Sequence, residues 1–282
     1  MIATSTRTIR VAHSPDADDA FMFHALSTGQ LDTGDLCFEH RLADIESLNQ
    51  AAQRGLYEVS ALSIHAYATV ADRYWLMSSG ASMGEGYGPK VVSARPLERE
   101  SLVGRRVAIP GLLTTAYLAA RLWLGDFEAV VVRYDRIADA VLAGEVDAGV
   151  VIHELQLDYA TRGLFEVQDL GRWWLEETGL PLPLGGNVVR RDLGWDLARR
   201  IDDLVRASVR HALANREPAL DHALVYASGL SRADAGRFVG MYVNARTVDY
   251  GPDGRAAVHL LLARARREGW LAQDPAVAFL DA

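Results

Sequence analysis

Apolar positions along the chain come in two textures. Short continuous or alternating runs, bounded by glycine, proline and acids, predict strands; stretches with apolar residues three and four apart predict helices. Strands are expected at Thr8–Ala12, Leu36–Glu39, Tyr57–Leu62, Tyr74–Ser78 and Lys90–Ala94. A second series is expected at Arg105–Ile109, Ala129–Tyr134, Asp147–Ile152 and Leu164–Gln168. Between them lie helical periods at Ala20–Leu26, Asp44–Arg54, Leu112–Leu124 and Asp135–Ala143. From Trp195 onward the pattern is helical: Asp196–Ala214, Pro218–Tyr226, Arg232–Val243 and Asp253–Glu268, interrupted at Asn244–Tyr250. Strands alternating with helices predict two α/β units with largely parallel sheets.

Two short strand-like segments, Lys90–Ala94 and Asn187–Arg191, stand where the texture changes, and we read them as crossings between the units. The expected architecture is two lobes, 1–92 with 190–282 and 93–189, with a cleft between them. Gly80-Ala-Ser-Met-Gly84-Glu-Gly86-Tyr-Gly88-Pro89 is too rich in glycine for regular structure and lets backbone approach a ligand or another lobe. It lacks a phosphate-loop pattern and opens no helix. Trp173 and Trp174 are expected to anchor the proline-rich segment behind them on the core.

In α/β sheets, ligands gather at the carboxyl ends of strands. The run Gly144-Glu-Val-Asp-Ala-Gly-Val-Val-Ile-His153-Glu154 is a buried strand ending in a histidine. His13, Ser14, Asp19 and Ser63 occupy equivalent ends in the first unit. Acids just before the first helix are typical caps, the role expected of Asp18, whereas Asp19 suits capping or binding equally. Thr114 and Thr115 offer two hydroxyls beside the unpaired N–H groups of a helix start after a Pro-Gly turn, which suits a carboxylate or phosphate.

The chain of 282 residues is 50% hydrophobic and 23% charged with net charge −8, ordinary for a globular protein of one or two domains. No basic run with interleaved aromatics points to nucleic acid. A lone cysteine, Cys37, excludes a disulfide framework and a cysteine metal site. No segment has transmembrane length and no apolar leader precedes the first strand, so a cytoplasmic protein is expected. His13, Asp19 and His65 form no close-spaced metal motif, and no metal is expected.

Several segments, in chain order, carry a family resemblance. They include Ser14-Pro15 with Asp19 and Phe21, Thr114-Thr115-Ala116-Tyr117, Val132-Arg-Tyr-Asp-Arg-Ile137, Ile152-His153-Glu154, Thr178-Gly-Leu-Pro-Leu-Pro-Leu-Gly185, Arg190-Arg-Asp-Leu193 and Tyr242-Val-Asn-Ala245. Together they resemble the 1,4-dihydroxy-6-naphthoate synthases of menaquinone biosynthesis, over about residues 8 to 250. The resemblance implies a type II periplasmic-binding-protein-like fold with two crossover strands and an inter-lobe cleft. It implies a cofactor-free carbon–carbon lyase of the futalosine route, acting on cyclic dehypoxanthine futalosine, a small carboxylate, and releasing dihydroxyacetone. His153 is implied as general base, with substrate contacts at Asp19, Ala61, Leu62, Ser63, Thr114, Thr115 and Ala116. An imidazole near its ordinary pKa of about 6.5 is largely unprotonated in the cytosol, the state a base needs.

The family pattern Ser-Pro-Cys-Pro-Asn-Asp-Thr-Phe appears here as Ser14-Pro-Asp-Ala-Asp-Asp-Ala-Phe21, with an acid at Asp18 instead of asparagine. Ser60-Ala-Leu-Ser63 stands where members often read Thr-Lys-Leu-Ser, so a cation is missing at Ala61. Both changes act against an anionic ligand, and His13 and His65 are candidate replacements for lost polar contacts. The same scaffold serves non-catalytic small-acid receptors and the sibling chorismate dehydratase. The Ile-His-Glu motif favours the naphthoate synthase.

Overall fold

A computed structural model describes residues 6–226 and 231–281. Its eleven strands are β1 (Arg7–His13), β2 (Leu36–Leu42), β3 (Val59–Ser63), β4 (Tyr74–Leu76), β5 (Ser82–Gly84), β6 (Lys90–Ser93), β7 (Arg106–Ile109), β8 (Glu128–Val131), β9 (Ala148–Val151), β10 (Phe165–Asp169) and β11 (Leu182–Arg190). They form two sheets. The first runs β2-β1-β3-β11-β4 with β5 paired to β11, and the second runs β10-β6-β9-β7-β8. Within each, the strands that continue into helices are parallel (β1 with β2 and β3; β7 with β8 and β9). Strands arriving from the other lobe pair antiparallel: β11 with β3, and β6 with β9.

The crossings differ from expectation. Lys90–Ser93 is a full strand of the second sheet, and Leu182–Arg190 is a nine-residue strand inside the first. The chain therefore changes lobe just ahead of each strand. Apolar residues explain this: Val91 and Val92, like Val188 and Val189, are buried and belong to sheet interiors. Lys90 clamps the second sheet's edge, its Nζ donating to Glu166 at 2.7 Å and Asp169 at 2.6 Å.

Two helix starts follow the sequence signals. Asp44 caps the helix Ile45–Gln53, accepting from the Ser47 N–H at 3.0 Å. Thr114 caps Thr115–Leu124, accepting from the Tyr117 N–H at 3.2 Å. Such caps contribute roughly 1 kcal/mol each. Trp174 is fully buried in the core, as expected of an anchor, and Arg264 lies over both tryptophan rings. The glycine-rich segment is more regular than expected: Ser82–Gly84 adds a short strand to β11. At Gly80, with φ +82°, a side chain would collide with the Asn187 amide, so glycine is required where this loop crosses β11.

The C-terminal helices Trp195–Ala214, Arg216–Leu224 and Arg232–Tyr242 close over the first sheet. Ile201, Val205 and Phe238 share one core with Ile9, Val11, Phe21 and Val189. The second lobe has its own core of Val92, Ala108, Ile137, Val141 and Val151. Both cores leave the carboxyl ends of β1, β3, β7 and β9 facing one cleft.

Candidate active site

The cleft holds a pocket lined by most of the residues expected there: Asp19, Ala61, Leu62 and Ser63 from the first lobe, Thr114, Thr115, Ala116 and His153 from the second. Ser14, Asp16, Asp18, Asn187, Gln156 and Tyr242 complete much of its wall. His13 and His65 do not reach it. The His13 ring is buried between the Ser14 carbonyl at 2.9 Å and His40 at 3.0 Å. His65 turns its Nδ1 to the Thr114 carbonyl at 3.3 Å. Among the described residues no group of three His, Cys, Asp or Glu side chains is placed to hold a metal.

β9 ends at Val151, and His153 follows with φ 55°, the one non-glycine residue with positive φ among those described. This left-handed conformation costs about 1–2 kcal/mol for an L-residue. The turn aims the imidazole across the cleft, where Nδ1 lies 2.9 Å from Asp16 Oδ2. The Tyr134 ring packs against it edge-on, centroids 4.8 Å apart. No protein group among the described residues bonds to Nε2, on the pocket side of the ring.

The expectation of a neutral resting histidine is overturned. Burial works against the charged ring. The Asp16 charge and hydrogen bond, with Glu154 and Asp18 behind them, outweigh burial and raise the pKa to about 9. Burial likewise opposes the Asp16 anion, but His153 and the Ser14 hydroxyl hold its carboxyl below the ordinary range. The resting pair is thus imidazolium and carboxylate.

The other two acids behave oppositely. Burial, then the Asp19 and Asp16 charges, push Asp18 well above the usual carboxylate range. Burial also raises Asp19, to about 6. Hydrogen counting agrees. The Ser14 hydroxyl lies 2.6 Å from Asp16 Oδ2 and 2.9 Å from Asp19 Oδ2, yet has one hydrogen. A proton on Asp19 lets both contacts be made. Asp18 is not the cap it was expected to be. Asp16 occupies the N-cap position, without a cap bond, and among the described residues nothing donates to the Asp18 carboxyl in the pocket wall.

The threonine hydroxyls do less for a ligand than their sequence suggested. Thr114 Oγ1 is occupied by its cap and by the Gly111 carbonyl at 2.8 Å. Thr115 Oγ1 donates to the Leu184 carbonyl at 2.6 Å and accepts from the His65 N–H at 3.2 Å, bracing one lobe against the other. The helix start itself still faces the pocket. The missing cation at Ala61 is not replaced: the lining contains no lysine or arginine.

Sequence reasoning missed Asn49, Gln156 and Tyr242. Asn49 is wholly buried and pairs with both Ser63 N and Ser63 Oγ. The Tyr242 hydroxyl donates to Gln156 Oε1 at 2.8 Å, tying the lobes beside His153. No local pattern marks either contact, which join residues 14 and 86 positions apart.

Comparisons with known proteins agree with this architecture. A Thermus thermophilus protein named "1,4-dihydroxy-6-naphtoate synthase" is 45% identical over 272 residues, 96% of this chain and 99% of its own. One of the same name from Streptomyces coelicolor is 40% identical, covering 94% and 95%. A crystal structure of an Archaeoglobus fulgidus protein superposes with TM-score 0.90 at 46% identity, over 96% of this chain and 100% of that one. The alkanesulfonate-binding protein of Xanthomonas axonopodis pv. citri shares the fold at TM-score 0.72 and 12% identity, over 97% of both chains. The fold is therefore periplasmic-binding-protein-like. Residues 9–267 match the family described as "Menaquinone biosynthesis", and the chain belongs to that family.

Proposed function

We propose that the protein is a cofactor-free carbon–carbon lyase converting cyclic dehypoxanthine futalosine to 1,4-dihydroxy-6-naphthoate and dihydroxyacetone, with His153 as general base. The supporting observation is a single imidazole at the wall of a pocket between two lobes, with one ring nitrogen held by protein and the other free toward a ligand. Two relatives above 30% identity, covered almost end to end, carry the synthase name.

Nε2, once deprotonated, takes the proton of a ring hydroxyl. That oxygen becomes a carbonyl as the adjacent carbon–carbon bond breaks. The electron pair passes into the conjugated carbonyl system of the aromatic product, and the imidazolium returns its proton to the fragments. The substrate carboxylate faces the N–H groups at the start of the helix Thr115–Leu124, since the lining supplies no cationic side chain except His153. Hydroxyls of the departing fragment meet Ser63 and the acids of the first lobe. Closed lobes keep water from the cleaving bond. The reading includes a cytoplasmic setting; no helix among the described residues is long and apolar enough to cross a membrane.

The test is turnover of the cyclic futalosine derivative by purified protein, followed by the appearance of both products. His153→Ala is expected to lower kcat by about 10²- to 10⁴-fold while ligand still binds. A protein that makes neither product yet binds another small acid tightly would be a receptor on the same scaffold, and the lyase reading would be wrong.

A further inference from the structure

We propose that Asp16 is a positioning residue for His153, completing from the first lobe a base whose imidazole comes from the second, so that the working pair exists only in the closed cleft. This rests on the reading of His153 as the base.

Asp16 sits at the N-cap of the helix Ala17–Met22, where an aspartate ordinarily accepts from a backbone N–H. It makes no such bond. Its Oδ2 is instead 2.9 Å from His153 Nδ1 and 2.6 Å from the Ser14 hydroxyl, which holds the carboxylate in place. The side chain has given up its local partner for one across the cleft. His153 has likewise left the favoured backbone region, with φ 55°. Two residues in different lobes, each departing from its local preference to meet the other, mark a selected contact.

The consequence concerns one proton. With Nδ1–H directed at Asp16, the nitrogen left to exchange protons with a ligand is Nε2, on the pocket side. The same division of labour operates when a carboxylate orients a catalytic histidine in hydrolases. The neighbouring charges are Asp18 and Asp19 from the same segment as Asp16, and Glu154 beside the ring. The Tyr134 phenol packs on the ring edge, and His13, which faces Asp16 from the end of β1, stays neutral with its pKa lowered to about 4 by burial. Asp16 alone among these acids touches the imidazole. When the lobes part, the ring loses its partner and its fixed tautomer.

Asp16→Asn keeps the shape without the charge, and Asp16→Ser restores an N-cap hydroxyl while removing the pair, so folding is secured by at least one of them. The first readout is the NMR titration of His153 in isotope-labelled, ligand-free protein, its signal assigned by loss in His153→Gln. Its midpoint near 9 is expected to fall by about 1–3 pH units in both variants. The second is steady-state turnover. kcat is expected to fall on the order of 10²- to 10⁴-fold with KM nearly unchanged, and the pH at which the rate rises should move down with the titration. An unchanged His153 titration overturns the proposal, and so does a turnover profile that keeps its wild-type kcat and pH dependence. If wild-type protein cleaves nothing, the lyase reading falls; the ligand-free titration still decides whether Asp16 holds the ring.

Discussion

Asn49 and Ser63 make a reciprocal pair at the floor of the cleft: the Asn49 amide donates to Ser63 Oγ at 3.1 Å, and its carbonyl accepts from the Ser63 N–H at 3.0 Å. Asn49 lies on the helix Ile45–Gln53 and Ser63 ends β3, so a pocket residue is oriented by a neighbour outside the pocket lining. With the amide occupying one side, the Ser63 hydroxyl hydrogen is left for the pocket. Asn49→Ala strands a buried N–H and is expected to cost about 1–3 kcal/mol in chemical denaturation. KM should rise as Ser63 loses its fixed rotamer, and steady-state kinetics beside the denaturation curve checks both.

Thr115 separates bracing from binding. Thr115→Val preserves shape but leaves the Leu184 carbonyl and the His65 N–H without their partner, so roughly 1–3 kcal/mol should be lost from the closed arrangement. Calorimetric melting is expected to show the loss, and small-angle scattering a larger radius. A variant that melts like the wild type but loses ligand affinity would mean that the hydroxyl serves the ligand instead.

The alkaline limb belongs to His153. Its folded pKa, about 9, lies above the ordinary 6.5, so the folded state holds the proton more tightly. The resulting stability is fully present below pH 6.5 and is lost as pH rises through about 9. Thermal midpoints should decline between pH 7 and 10 in the wild type and stay flatter in His153→Gln. The same proton must leave before the ring can act as base, so kcat/KM should climb toward pH 9 before levelling.

The acid limb belongs in part to His13 and His40, hydrogen-bonded at 3.0 Å. Burial lowers both rings to about 4, with His222 nearby adding to the effect. Here the unfolded chain takes up protons first, so stability is lost as pH falls from about 6.5 toward 4. His40→Gln removes one of the two groups, and its stability should fall less steeply over that interval in urea titrations at fixed pH.

Much of this was readable in the chain itself. Ser63, Thr114, Thr115 and His153 sit at a strand's carboxyl end or a helix start, where an apolar run stops at Ser, Thr or His; Ala61, Leu62 and Ala116 were expected from the family resemblance alone. Ser63 and His153 were found that way, and the caps at Asp44 and Thr114 follow from local chemistry. The anchoring of Trp174 was expected from a large aromatic side chain just before a proline-rich segment. The crossings were misplaced because a valine-rich segment at a lobe boundary looks the same whether it links two sheets or enters one. The Thr114 and Thr115 hydroxyls were overvalued because sequence shows that a hydroxyl is present, not that Gly111 and Leu184 already use it.

The order and periodicity of side chains determined two α/β lobes, their helical C-terminal cover, and which residues end strands at the cleft, because those choices depend on neighbours within a few positions. Only the tertiary structure decided that Asp16, 137 positions before His153 in the chain, meets it at 2.9 Å. It likewise decided that Asp18, in the first turn of its helix, lines the pocket wall and leaves the N-cap position to Asp16. Charge states in a closed cleft depend on which groups are brought within a few ångströms and how little water remains between them. Neither quantity is written in local sequence, and together they turn an ordinary histidine into a ring that rests protonated.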